Sequence, residues 1–321
     1  MSVAISCSMT YDPLSTCVSK YIRQKPEGKR QLMTKRMISH EALDKLITEA
    51  LSIEAEEAKS ADALGFMARA MVQATLPHKK TEGAEFTRTN GNFTLSLLAP
   101  SKVGLPYGSI PRLLLSWITT EAVQTKQREL ELGDSLSVFM RELDMVPTGG
   151  RWGSITRLKE QMKRLFACSV SLTYDDGQSW ALESIKPVDS ARLWWSPKEP
   201  EQATLWKSTV LLSQQFFDEI TAHPVPIDMR ALKALKKSPL SLDIYLWLTY
   251  RMFYLRKPTT IPWGVLAGQF GAGYAEPRQF KAAFLRELKK VQLVYPDAKL
   301  EDVPRGLMLL PSKPHVKRVQ G

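Results

Sequence analysis

The sequence predicts an α+β chain, predominantly helical, in which one arrangement of elements occurs twice behind an N-terminal appendage. Three observations lead there. Apolar spacing gives three helices and then a hairpin within residues 77–200, and the same order returns within 201–321. Trp117 and Trp247 stand in equivalent places of the two copies. Between them lies a polar, proline-bearing stretch, KEPEQ at 198–202.

Residues 1–39 are expected to be a basic, disordered arm. KYIRQKPEGKRQLMTKR at 20–36 holds seven basic residues against one acidic, with Pro26 and Gly28 and few large apolar groups. Residues 40–76 are expected to be helical. Glu41, Asp44, Glu49, Glu54, Glu56 and Glu57 accompany Leu43, Leu46, Ile47, Leu51 and Ile53 at helical spacing. Ser60-Ala61-Asp62 restarts a helix that runs to about Gln73 and ends at Pro77. The apolar stripe of the acidic helix either packs on its own chain or docks a partner.

The first domain is expected over 77–200. Asn90-Gly91, between alternating apolar residues, is a strong hairpin signal. Ser109 is a candidate cap, and Pro111 suits the first turn of a helix through Val123. LELGDSLSVFMRELDM gives a short strand, a Ser or Asp cap and a second helix. The third helix spans Ser154 to Ala167. SVSLTY, the turn Asp175-Asp176-Gly177 and QSWALESI form the hairpin after it.

The second domain is expected over 201–321. STVLLS and QQFFDEITAH give a strand and a helix. Ser238-Pro239 opens a helix through LDIYLWLTYRMFYL, apolar nearly all round and therefore buried. Thr260-Ile261-Pro262 start a second helix that ends at Gly271, and Pro277 starts a third, PRQFKAAFLRELKKV. VQLVYPDAKL and GLMLLPSK flank a turn near Pro304-Arg305-Gly306. Three helices followed by a hairpin, twice over, is the order of tandem winged-helix domains, a helix-turn-helix variant that lays its third helix in the DNA major groove.

Charge bears on the same reading. The chain has 44 basic and 33 acidic residues, net +11. From residue 205 onward there are 18 basic and 9 acidic, net +9. A basic chain is not by that fact a nucleic-acid binder; the distribution decides. In the first third helix Ile155, Leu158, Met162, Leu165 and Phe166 share one arc at about 100° per residue. Arg157, Gln161 and Arg164 fall opposite, Lys159 and Lys163 flank them, and Arg151 lies just before the helix. Taken alone, this is an ordinary solvated face.

The other third helix is more specific. Phe280, Phe284, Leu288 and Val291 pack inward, with Glu287 near them. Arg278, Gln279, Ala282, Ala283, Arg286, Lys289 and Lys290 face outward. Small side chains let a helix backbone approach base edges; Arg and Gln make bidentate base contacts, and Lys holds phosphates. Alanine is also simply the best helix former. Lys299 and Arg305 serve the second hairpin, and Lys313, Lys317 and Arg318 the tail. The first hairpin instead carries Asp175 and Asp176, which repel phosphate. The second domain is therefore expected to be the main DNA reader, and the first an auxiliary contact or a dimer surface.

YGSIPRLLLSWITTEAV, ELGDSLSVFMREL and TGGRWGSITRLKEQMKRLF resemble the plasmid replication initiators of the RepA C-terminal family, over roughly residues 76–200 with looser similarity to the end. Asp144 stands where that pattern often has Gly. The resemblance implies a theta-type initiator that binds double-stranded origin repeats (iterons) and helps open adjacent A·T-rich DNA. It also implies recruitment of the host replicative helicase and host initiator, a monomer on the repeats, and a dimer that represses its own promoter. Two third helices in successive major grooves, about 34 Å apart, suit a repeat of about two turns. The alternatives are a transcriptional repressor of the same fold and a metal-dependent origin nickase.

Little favours catalysis. Neither TGGRWGS nor GAGYAE supplies the Lys of a phosphate-binding loop. His40, His78, His223 and His315 are scattered, read as surface or loop histidines, and form no local metal pair. Cys7, Cys17 and Cys168 have no metal or disulfide spacing; Cys168 reads as a buried structural thiol. No catalytic residue, cofactor or metal is expected. With no 18-residue apolar run and no signal peptide, the expected location is the bacterial cytoplasm, without a membrane partner.

Overall fold

The computed structural model describes residues 40–317 except 74, 197, 203–206, 272 and 275; the arm at 1–39, with Cys7 and Cys17, and Arg318 lie outside the described residues. By its contacts the chain divides into residues 1–45 and 46–321. The acidic stretch forms α1 (His40–Ala55). Its Leu46 and Ile53 are buried in the core, while Ile47 and Leu51 stay exposed, so part of the stripe packs on its own chain. Arg230 donates to the carbonyl oxygens of Ser52 at 3.3 Å and Glu56 at 2.7 Å, placing a cation where the helix runs out of N–H partners.

Ser60-Ala61-Asp62 does not restart a helix. Asp62 turns the chain with a left-handed φ of 51°, and β1 (Leu64–Ala68) and a short α2 (Arg69–Gln73) follow. The first lobe then runs β2 (Glu85–Asn90), β3 (Phe93–Leu98), α3 (Ser109–Thr125), β4 (Glu129–Glu131), α4 (Leu136–Glu142), α5 (Ser154–Ala167), β5 (Ser169–Asp175), β6 (Trp180–Ile185) and β7 (Val188–Arg192). A linking set comes next: β8 (Thr209–Leu212), α6 (Gln214–Ala222), β9 (Pro224–Asp228) and α7 (Met229–Leu235). The second lobe runs α8 (Pro239–Tyr254), β10 (Thr259–Pro262), α9 (Trp263–Phe270), α10 (Pro277–Val294), β11 (Leu300–Val303) and β12 (Gly306–Leu309).

Several ends follow from local chemistry. Ser135 caps α4, its hydroxyl accepting from the Val138 N–H, and Ser238 caps α8 in the same way through Ser241. Ser109 does not cap α3. That place falls to Gly108 at φ 80°, a conformation glycine adopts without strain. Residues 259–262, expected to start a helix, form β10 because they pair with β12; α9 begins one residue later. α10 runs on through Val294, so the strand expected from Val291 is the shorter β11.

Four small sheets connect these helices. β2-β3-β5-β6 form one, with Asn90 opposite Phe93 across the expected turn. β10-β12-β11 form another, so the strand before α9 pairs with the last strand of its lobe. In the first lobe β4 pairs instead with β8, which sits between β4 and β7, and β1 pairs with β9. Strands on the two sides of residue 200 therefore share sheets.

In each lobe an aromatic pair joins the first helix to the second. Trp117 on α3 meets Phe139 on α4 edge-on, with ring centroids 5.0 Å apart; Trp247 on α8 meets Phe270 on α9 edge-on at 5.5 Å. Each pair fastens the first helix of a lobe to its second. The two first helices are joined to each other by a buried ionic knot. The Arg112 guanidinium of α3 donates to both Asp243 oxygens of α8, at 2.6 and 2.7 Å, and to the carbonyls of Leu76, Pro77 and Gly108. His78 Nε2 lies 2.7 Å from Asp243. Burial opposes the Asp243 charge, but Arg112 and His78 outweigh it and hold the carboxyl below its usual range. Burial pushes the His78 ring below its usual value, against the pull of Asp243.

Candidate nucleic-acid interface

α10 divides cleanly into two sides. Phe280, Ala283, Phe284, Leu288, Val291 and Val294 are buried. Arg278, Gln279, Ala282, Arg286 and Lys289 are exposed. Ala283 thus belongs to the packed side, not the outer face where the sequence spacing placed it. The lone acid, Glu287, is buried and occupied. It accepts from Ser241 Oγ at 2.8 Å, Lys290 Nζ at 2.6 Å and Arg286 Nε at 3.0 Å. Burial opposes its charge, but the hydrogen bonds from Lys290, Ser241 and Arg286 win and keep the carboxyl below its ordinary range. Lys290 is drawn inward by that contact, whereas the Arg286 side chain remains 55% exposed. The outer face therefore carries three cations, Gln279 and one small residue, with no carboxylate of the helix among them.

The second hairpin adds Arg305 at its turn and Lys299 at its base, both exposed. Exposed Glu301 and Asp302 lie between them along the chain. Lys281 Nζ reaches Asp302 at 2.8 Å and stands 4.7 Å over the Trp263 ring, tying α10 to β11 and to the start of α9. In the tail, Lys313 and Lys317 are exposed and face Asp297 and Glu57. His315, read as a surface or loop histidine, is half-buried there with its Nδ1 2.9 Å from the Tyr245 hydroxyl; burial pushes the ring down to about 4.

α5 is built differently. Arg151, Arg157 and Lys163 are exposed. Gln161 is not: it is only 4% exposed, and its Oε1 accepts the Tyr107 N–H at 2.9 Å. Arg164 is folded back as well, its side chain 11% exposed, donating to Glu160 and to the Leu105 carbonyl and lying 5.4 Å from the Tyr107 ring. The loop at 104–107 covers the flank that helical spacing left open. Gly104 makes this possible: at φ 77° it has no Cβ, and one placed there would sit 2.5 Å from Arg164 Nη1. The hairpin tip stays acidic. Backbone hydrogen bonds from Ser179 and Gln178, with the hydroxyls of Ser179 and Tyr174, hold Asp176 down to about 2. Cys168 closes α5 as a buried thiol raised to about 12 by burial.

Among the described residues, no group of three or more His, Cys, Asp or Glu is placed to hold a metal ion, and no helix is long and apolar enough to cross a membrane.

The family described as plasmid-encoded RepA protein matches residues 105–264, from the loop before α3 into the start of α9. The chain belongs to that family of replication initiators. The matched span starts later than the resemblance read from the sequence and reaches further into the second lobe, ending before α10. Asp144 has a left-handed φ of 53° and bonds Lys236 through its side chain and its carbonyl. Glycine reaches that conformation without strain; here an ion pair to α7's end steadies the aspartate.

No curated protein matches the chain. Among solved structures, a selenomethionine derivative of domains 2 and 3 of RctB superposes with a TM-score of 0.51 at 12% identity, covering 78% of this chain and 97% of that one. Another crystal structure of RctB domains 2–3 gives 0.47 at 12% identity, covering 74% and 94%. The first shows a shared α+β fold; ligands do not transfer at that identity.

Proposed function

We propose that this initiator binds double-stranded origin repeats of its plasmid through two winged helices, α3 to β6 and α8 to β12, with α10 as the principal reading helix. The outer face of α10 carries the reading: Arg278, Gln279, Ala282, Arg286 and Lys289 are exposed together, while the only acid on the helix is buried and neutralised. Such a face offers bidentate groups for base edges, a gap at Ala282 for close approach, and lysines for phosphate. Lys299 and Arg305 extend it along the backbone, while Lys290, held by Glu287, borders it. Arg151 and Arg157 supply an auxiliary phosphate contact from the first lobe. The sheet order β10-β12-β11 and the helix order before it support the winged-helix reading of the second lobe.

The proposed activity is opening of neighbouring A·T-rich DNA, recruitment of the host helicase and host initiator, and repression of its own promoter by a dimer, in the bacterial cytoplasm and without catalysis. Nuclease footprinting on the DNA flanking the reading frame tests it. Protected repeats at a regular period are expected; an unprotected region sinks the proposal. A plain repressor would protect the same repeats without opening supercoiled DNA, and a nickase would cut it in the presence of a divalent metal.

A further inference from the structure

Directly before α5 stands the most exposed large apolar side chain among the described residues. Trp152 is 80% exposed, and Val146, in the same loop, is 77% exposed. A single exposed apolar residue needs no explanation. This one has two further properties.

Its mount is tied in place. The Ser154 hydroxyl donates to the Val146 carbonyl at 2.6 Å and accepts from the Thr148 N–H at 2.8 Å. Thr148 Oγ1 accepts the Ser154 N–H at 2.9 Å, and Thr156 Oγ1 donates to the Gly150 carbonyl at 2.8 Å. The contact of Asp144 with Lys236 anchors the start of the loop. An indole held out on such a loop needs little further ordering when it binds.

Its surroundings are cationic. Arg151 lies 5.2 Å from the indole ring, and Arg157 and Lys163 are exposed on the same helix. From Met145 through Lys159 the sequence has no acidic residue. An aromatic ring beside a guanidinium has the chemistry that stacks bases along an unpaired strand. An apolar protein surface would leave both arginines without partners, whereas a phosphate chain meets them. A closed duplex offers no free base face; an opened strand does.

We infer that Trp152 and Arg151 form a hook that stacks an unpaired base of the opened strand. This rests on the DNA-binding reading above and gives the first lobe a task separate from reading the repeats.

The test measures the full chain, W152A and W152F on a duplex carrying the repeats and on a single-stranded oligonucleotide of the adjacent A·T-rich sequence. W152A is expected to lose about 5- to 150-fold on the single strand, the equivalent of one stacked base at about 1–3 kcal/mol, with duplex affinity unchanged. W152F, which keeps an aromatic face, should recover most of the loss. Equal losses on both substrates, an unchanged single-strand affinity, or a parent chain that holds duplex but no single strand each overturn the hook. So does a change in oligomeric state on sedimentation with single-strand binding intact. A parent chain that binds neither substrate removes the DNA-binding reading as well, so the two failures are distinguishable.

Discussion

α5 and α10 each run into a β-hairpin, yet they use their polar flanks in opposite ways. On α5, Gln161 and Arg164 turn into the protein under the loop at 104–107, and the remaining exposed cations stand apart. On α10 the acid is buried under its own lysine and arginine, and the outer face is left clear. α5 commits Gln161 and Arg164 to packing, whereas α10 buries its acid against Lys290 and Arg286 and leaves Arg278, Gln279 and Lys289 exposed. The contrast teaches that a basic helix is not yet a binding face. What matters is where its charges are already committed.

The largest expected effect tests whether the two lobes are separable at all. Asp243→Ala leaves Arg112 buried without its carboxylate and should cost about 3–5 kcal/mol, read by urea denaturation. A single shifted transition is expected; two transitions would mean that the lobes fold independently. Next is the pH response. Folding holds His315 neutral down to about 4, whereas the unfolded ring takes a proton near 6.5. Stability is therefore complete above pH 6.5 and falls as the pH drops toward 4, by about 3 kcal/mol from this residue. His78, lowered in the same direction, adds to the fall. His315→Gln should flatten the slope, and an unchanged slope would move its origin elsewhere.

Arg286→Ala sharpens the comparison directly. It should lose about 1–3 kcal/mol on the cognate repeat and relax specificity at one base position. An equal loss on random DNA would make Arg286 a phosphate contact only. Smallest is Arg157→Ala on α5, which should reduce the salt slope of binding by about one and weaken all sequences alike. Arg164→Ala, by contrast, should lower the unfolding midpoint and leave the salt slope alone, because its guanidinium is committed to Glu160 and Leu105.

The sequence revealed whatever depends on neighbours in the chain. Periodicity set α5 and α10, and Asn90-Gly91 set the β2–β3 turn. It missed what depends on distant partners. Thr260-Ile261-Pro262 looked like a helix start because proline marks both helix first turns and strand ends, and only pairing with β12 separates the two. The stretch around Phe66 and Met67 looked helical until β9, far along the chain, paired with it. Gln161 sits about 40° from Leu165 on a helical wheel, so a modest cover from the loop at 104–107 was enough to bury it. His78 and His315 showed nothing locally; their partners come from α8.

The knot of Arg112, Asp243 and His78 also limits which exchanges between the lobes this chain tolerates. Recombination that exchanged one lobe for a foreign copy at residue 200 would separate Arg112 from Asp243 and leave a charge sealed in the core. An exchanged lobe is tolerated only if it brings the matching residue of that pair, whereas the solvent-facing positions of α10 can change without touching it.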